Sequence, residues 1–316
     1  MGLWQFYNQE YEGIYYLHQA QKHEPSNPAV VQSLYLAYQN LQSPQIASYW
    51  KSMGRDYYLA TDPHNPCWFW STLPDAFSFT YVLFQGNILL AVVPDLSQVV
   101  TIVLLADGDW FEAEMEFWVN NLQPGMTVID VGANVGVYTF SAARAVGETG
   151  CVVAIEPFPP CVNCLEETKR INNFGQVVIK QAAATDCVGT VYLGTSRSSE
   201  FNAITADRGV AGIEVPAITL DALVRELDLS AVDVLKIDAE GHEMAVLRGA
   251  TEILTKYSPL IMYENISSHN SNTEVATYLQ EQGYKLYRYR PFLMQLLPID
   301  NLDHLEGTLN VIARRE

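Results

Sequence analysis

Asp130 stands near the end of a short apolar run, Thr127-Val-Ile-Asp-Val131, and Gly132 and Gly136 bracket the turn that follows, before a helix-like segment over 138–145. Glycine lets a backbone approach a ligand closely, and a helix start offers unpaired N–H groups to it. Twenty residues past Gly136, a second apolar run, Cys151-Val-Val-Ala-Ile155, ends in Glu156. An acidic side chain at the tip of the second strand of a βαβ unit is placed to accept hydrogen bonds from a ribose diol. The two glycines are four apart and form no G-x-G-x-x-G, which disfavours a dinucleotide pyrophosphate. An acidic residue inside the glycine turn suits a cationic ligand group instead. Adenosine carrying an amino-acid sulfonium meets both conditions.

Such groups need an alternating scaffold to hold them. Strands are expected at 127–131, 151–155, 177–181, 233–237 and 260–263, with helices near 161–171, 221–227 and 244–254. The runs 284–289 and 308–313 are β-like with only a loop between them, so an antiparallel pair is expected at one edge. This order predicts an α/β fold, a doubly wound, mostly parallel sheet whose ligands sit at the carboxyl ends of its strands. Upstream, residues 1–60 read as helices, broken at Glu24-Pro-Ser-Asn-Pro28 and restarted at Pro28 and Pro44. Leu34, Tyr38, Ala47 and Gly54 are spaced as in a tetratricopeptide repeat, while Tyr35 departs from that pattern. The helices form a cap or a contact surface for a protein partner or a second copy. Residues 61–112 are an aromatic-rich β appendage, with Trp68-Phe-Trp70 and apolar hairpin strands between Tyr81 and Leu105, and 113–316 form the cofactor domain. The segment 195–208, rich in Ser, Thr and Asn, is expected to be a mobile loop over the site.

Several segments in register point to a family. Val128-Ile-Asp-Val-Gly-Ala-Asn-Val-Gly136, Ala154-Ile-Glu-Pro157, Thr219-Leu-Asp221, Leu235-Lys-Ile-Asp-Ala-Glu-Gly-His-Glu243, Leu247-Arg-Gly-Ala250 and Leu309-Asn-Val-Ile312 resemble the FkbM-type methyltransferases, over about residues 105–314. The resemblance implies a class I, seven-stranded methyltransferase sheet using S-adenosylmethionine. Carried onto this sequence, it places Asp130, Gly132, Asn134 and Gly136 around the methionine end and ribose, and Glu156 on the ribose hydroxyls. Phe158 would lie against the adenine edge, with Ala182 and Ala183 lining that pocket by backbone contact. Capping or surface solvation is the plain alternative for Asp130 and Glu156, and a core position for Phe158.

Methyl transfer is an in-line displacement, so the protein mostly holds the acceptor in line and excludes water. A hydroxyl acceptor also needs a base. The segment Lys236-Ile-Asp-Ala-Glu-Gly-His-Glu243 puts charge at the end of the fourth strand, with Lys236, Asp238 and Glu240 on one side of it. Asp238 and Glu240 are the leading candidates for the base, with His242 and His269 behind them. Lys236 either keeps one carboxylate ionised or forms a structural ion pair. Asp238, Glu240, Glu264 and Asn265 could together offer oxygen ligands to Mg²⁺, although nothing in the spacing demands a metal. The resemblance favours O-methylation of a hydroxyl on a specialised metabolite or sugar. The alternatives are methyl esterification of a carboxylate, as on a modified peptide, and a non-catalytic adaptor with a vestigial cofactor fold. The intact Asp130, Gly132, Gly136 and Glu156 speak against the adaptor.

Composition narrows the classes further. A net charge of −18 on 316 residues repels phosphate backbones and argues against nucleic-acid binding. Five cysteines without regular spacing favour a reducing compartment, and Cys161 and Cys164, the one C-x-x-C, find no second pair among Cys67, Cys151 and Cys187. Met1-Gly-Leu-Trp-Gln-Phe6 has neither the basic start of a leader nor the Ser or Thr of a myristoylation site. The apolar 81–105 stretch is cut at Gln85-Gly-Asn87 and Pro94-Asp-Leu-Ser-Gln98 into pieces too short for a membrane span, so a cytoplasmic protein is expected.

Overall fold

The structure, a computed structural model, describes residues 1–61, 65–74, 77–267 and 270–315. His269, a candidate base, lies outside the described residues. Contacts group the chain into two units. The first is Met1–Phe111 with Asn163–Asn172 and Arg197–Glu200, and the second is Glu112–Val162 with Asn173–Ser196 and Phe201–Glu316.

In the first unit the helices α1 (Gly2–Tyr7), α2 (Gly13–His23), α3 (Pro28–Asn40) and α4 (Pro44–Ala60) precede a hairpin of β1 (Thr80–Phe84) and β2 (Ile88–Val92) and then α5 (Val99–Asp107). Asn27 caps α3 by accepting from the Ala29 and Val30 N–H groups, and proline opens both α3 and α4. The bulky Tyr35 is accommodated because it stacks on Trp70, 5.4 Å between centroids, while a Cβ on Gly54 would meet that same indole at 2.8 Å. Glycine on α4 thus leaves the room that the aromatic pair fills. The run 99–105, expected as a strand, is helical instead. Its first amides are capped from far along the chain: Val99 N–H donates to Ser198 Oγ at 3.1 Å and Val100 N–H to Glu200 Oε1 at 2.8 Å. No helix among the described residues is long and apolar enough to cross a membrane.

The second unit opens with α6 (Glu114–Asn121) and continues through β3 (Thr127–Val131), α7 (Val137–Val146), β4 (Cys151–Ile155), the helix α8 (Pro159–Ile171) that passes into the first unit, and β5 (Val177–Lys180). A side sheet follows, of β6 (Ala183–Ala184), β7 (Gly189–Gly194), β8 (Ala203–Ile204) and β9 (Gly212–Ile218), ordered β6-β9-β7-β8. The expected loop 195–208 therefore contains a strand, held by pairing of Leu193 with Ile204 and Gly194 with Ala203. Next come α9 (Leu220–Glu226), β10 (Val234–Ile237), α10 (Glu243–Arg248), α11 (Thr251–Lys256), β11 (Leu260–Glu264), the short pair β12 (Ile266–Ser267) and β13 (Asn270–Ser271), α12 (Thr273–Glu281), β14 (Lys285–Arg290), β15 (Gln295–Pro298) and β16 (Asn310–Arg314).

The main sheet runs β15-β14-β16-β11-β10-β3-β4-β5, parallel from β11 to β5 and antiparallel beyond. It is the expected doubly wound α/β sheet with one strand more than seven. The added edge strand, β15, comes from a segment read as loop, and it pairs with β14 from Tyr287↔Pro298 to Arg290↔Gln295. Ile129, Val153, Leu235, Ile237, Ile261 and Tyr263 are buried in the sheet's core under Leu247, Leu254, Val275 and Leu279. The helix expected over 244–254 is two helices. A Cβ on Gly249 would collide with the Thr185 carbonyl oxygen, so the chain bends there, and the Asp221 carboxylate restarts the helix by accepting from Glu252 N–H at 3.0 Å and Ile253 N–H at 3.1 Å. The chain leaves β3 outward through β4 and β5 and returns to β10 on its other side, which makes the β3–β10 boundary the switch point of the sheet.

Candidate active site

At the end of β3 the backbone turns sharply: φ is +74° at Gly132, +50° at Asn134 and +98° at Gly136. Gly132 admits no side chain, because a Cβ there would collide with the Asp238 carbonyl oxygen at the end of β10. Glu156, 7% exposed at the end of β4, ties the turn down, its Oε2 accepting from Asn134 N–H at 2.9 Å and its Oε1 from Phe158 N–H at 2.8 Å. Burial pushes the Glu156 carboxyl up to about 7 against these two bonds. Asp130 is fully buried. Its Oδ2 accepts from Thr139 Oγ1 at 2.6 Å, and its Oδ1 has no hydrogen-bond partner among the described residues. Burial raises the Asp130 carboxyl as well, opposed by Lys236 and Thr139. A buried acceptor lacking a donor, beside a glycine turn, is a cradle for a ligand that brings its own donors and positive charge. Phe158 packs with Ala183, Leu193 and Val215 in a small apolar cluster, and Ala182 is buried beside it in sequence.

The second half of the site lies at the end of β10. Lys236, whose side chain is 3% exposed, pairs with Asp238, Nζ to Oδ2, at 2.9 Å. Burial alone would lower the Lys236 ammonium; Asp238, Asp130 and Glu112 outweigh it and hold its pKa above the ordinary value. Past Ile237 the chain leaves the strand in a turn, with φ +49° at Glu240 and +89° at Gly241. Glu240 thus joins Asp238 through a turn rather than through strand alternation. The turn is held by Glu243, whose Oε1 accepts from the Ala239 and Gly241 N–H groups at 3.0 Å each and whose Oε2 accepts from Asn272 Nδ2 at 3.1 Å. The register of β10 with β11 places Glu264 level with Asp238, and carboxylate oxygens of Asp238, Glu240 and Glu264 lie within 4.8 Å of one another. Burial, with Asp238 and Glu240 beside it, pushes the Glu264 carboxyl up to about 9.

The structure therefore brings Asp130, Gly132, Asn134, Gly136 and Glu156 to one edge, next to Asp238, Glu240 and Glu264. His242 sits at the N-cap of α10, where burial lowers its imidazole and Asp186 opposes that effect. The structure does not offer Asn265 to a metal. Its Nδ2 donates to the Leu305 and Thr308 carbonyls at 2.9 and 2.8 Å, and its Oδ1 accepts from Asn272 N–H at 3.2 Å. None of the five cysteines forms a disulfide; burial pushes the Cys164 thiol up to about 12, and Cys161 Sγ donates to Asn134 Oδ1 at 3.6 Å. The grouping of Glu264 with Asp238 and Glu240 was read from sequence as a set of oxygen ligands, whereas the parts played by Thr139 and Glu243 were not. For Glu243 a signal existed in its motif, whereas the Thr139 bond depends on the winding of α7.

Residues 130–286 match the model of the methyltransferase FkbM domain. The chain carries an FkbM-type methyltransferase domain. Methyltransferase sdnD of Sordaria araneosa is 24% identical over 202 residues, 54% of this chain and 78% of that protein. The structure of methyltransferase FkbM from Methylobacillus flagellatus KT superposes with a TM-score of 0.42 at 13% identity, over 68% of this chain and 53% of that one. A SAM-dependent O-methyltransferase from Thermotoga maritima superposes with a TM-score of 0.40 at 17% identity, over 65% of this chain and 66% of that one. S-adenosylmethionine is accordingly the methyl donor of this FkbM-type domain.

Proposed function

We propose that this methyltransferase acts on a hydroxyl oxygen of a neutral specialised metabolite or sugar. One observation carries the reading: the glycine turn and the Asp238 turn touch at Gly132, which sets a candidate base against the cofactor cradle. Asp130 and the turn from Gly132 to Gly136 would hold the methionine end and ribose, Glu156 would accept from the ribose hydroxyls, and Phe158 with Ala183 would line the adenine. The buried, donor-less Asp130 Oδ1 and the space kept by Gly132 fit that group. When bound, S-adenosylmethionine supplies an electrophilic methyl on a sulfonium and departs as a neutral thioether. Asp238, held by Lys236, takes the acceptor's hydroxyl proton as the new C–O bond forms, and Glu240 and Glu264 orient the acceptor.

A carboxylate acceptor is the weaker reading, because the Lys236 ammonium is already paired with Asp238 and Glu240 beside them repels an anion. The test is transfer of labelled methyl from S-adenosylmethionine into extract of the source organism, with mild alkali applied to the product. Label that survives alkali supports an ether or amine product and keeps Asp238 and Glu240 as the next residues to mutate. Label released as methanol identifies an ester and removes the base role from Asp238.

A further inference from the structure

A buried ion pair is weak evidence for stability, since the cost of desolvating both charges consumes most of their attraction and apolar residues of similar volume serve as well. Lys236 on a central strand therefore calls for another account, and its surroundings supply one. Its ammonium lies 4.4 Å from the centroid of the Tyr138 ring as well as 2.9 Å from Asp238 Oδ2. Tyr138, 4% exposed in the first turn of α7, donates its hydroxyl to Glu112 Oε2 at 2.6 Å. The same oxygen accepts from Asn310 Nδ2 at 2.8 Å, and Asn310, 2% exposed, begins β16. Asn310 belongs to the terminal motif Leu309-Asn-Val-Ile312, which methyl transfer does not otherwise employ. Five residues from four segments thus form one chain of contacts, buried at Asn310, Tyr138 and Lys236, that ends on Asp238. An ammonium on a flexible stem has three donors and no fixed direction. An aromatic face on one side leaves the carboxylate side as its bonding direction.

We propose that Tyr138, seated by Glu112 and Asn310, is a positioning residue that orients Lys236 and through it fixes the Asp238 carboxylate toward the acceptor. The proposal rests on Asp238 being the base. Two measurements keep its failure distinct from failure of that premise. The first needs no acceptor: the ammonium signal of Lys236 in protein labelled with ¹⁵N-lysine, assigned by Lys236→Met, should be displaced upfield by the Tyr138 ring. It should move back in Tyr138→Leu and remain displaced in Tyr138→Phe. The second is label transfer from S-adenosylmethionine into source extract, alongside affinity for S-adenosylhomocysteine. Lys236→Met should lower the maximal rate about 100-fold, and Tyr138→Leu about 10-fold. Tyr138→Phe should recover most of the rate, with affinity for S-adenosylhomocysteine changed less than about twofold in both Tyr138 variants. A Tyr138→Leu protein with the wild-type ammonium signal or the wild-type rate overturns the proposal. An Asp238→Asn protein that transfers at the wild-type rate overturns the premise instead, whatever the ammonium signal shows.

Discussion

Glu156, as the proposed acceptor for the ribose hydroxyls, would tune the cofactor's affinity to pH. Ribose hydroxyls donate, so Glu156 must be ionised to receive them, yet burial holds its carboxyl at about 7 in the free protein. Below that pH, binding has to displace a proton. The dissociation constant for S-adenosylhomocysteine should therefore rise about tenfold per pH unit as pH falls below 7 and level off above it. Calorimetric titration from pH 5.5 to 8.5 checks this, and Glu156→Gln should bind more weakly with that slope gone. Glu264 sets a second residue-level expectation. Burial and its acidic neighbours hold its carboxyl far above the ordinary range, which favours the protonated form at pH 7, and a divalent ion using all three carboxylates would have to expel that proton. Excess EDTA should leave methyl transfer unchanged. Transfer abolished by EDTA and restored by Mg²⁺ would show the trio to be a metal site. The identities of these acids were legible in sequence because each closes an apolar run. The nearness of Glu264 to Asp238 was legible too, since both end neighbouring strands, but the bond from Thr139 to Asp130 was not, because it depends on the packing of α7 against β3.

At the scale of elements, the motif residues away from the cradle are mostly structural. Asp221 lies in α9 yet caps α11, and Thr219 caps α9 by accepting from Ala222 N–H at 3.2 Å. Asp221→Ala should lower unfolding stability by about 1–2 kcal/mol, read as a shift in the urea midpoint, while affinity for S-adenosylhomocysteine stays as in the wild type. Gly132→Ala should do the reverse in emphasis. Its Cβ meets the Asp238 carbonyl and its φ of +74° is costly for any other residue, so the β3 and β10 ends are forced apart and cofactor affinity falls even where the protein folds. The parallel strands were readable because each is an apolar run bounded by turn residues. Two elements misled in instructive ways. The run 99–105 consists of residues with strand preference, and its helical state rests on acceptors at Ser198 and Glu200, which no local pattern announces. The break at Gly249 comes from the close passage of the Thr185 carbonyl, a tertiary constraint on a sequence that otherwise continues a helix.

On the scale of the whole chain, charge decides which molecules can approach. The net charge of −18 comes from 36 acidic against 18 basic residues, and Asp238 and Glu240 add the same sign at the candidate site. An anionic acceptor would meet repulsion both on approach, where the summed field lowers the rate of encounter, and in place, where the single ammonium near the trio is already paired with Asp238. Neutral or cationic acceptors meet neither obstacle. Passing source extract over an anion-exchange resin at low salt separates the two classes without knowledge of the acceptor's identity. The methyl-accepting activity should appear in the flow-through. Acceptor activity retained on the resin and released by salt would mean that an anionic group is bound productively beside Asp238, Glu240 and Glu264. That outcome would require a cation from solution at the trio, or a site elsewhere on the edge of the sheet.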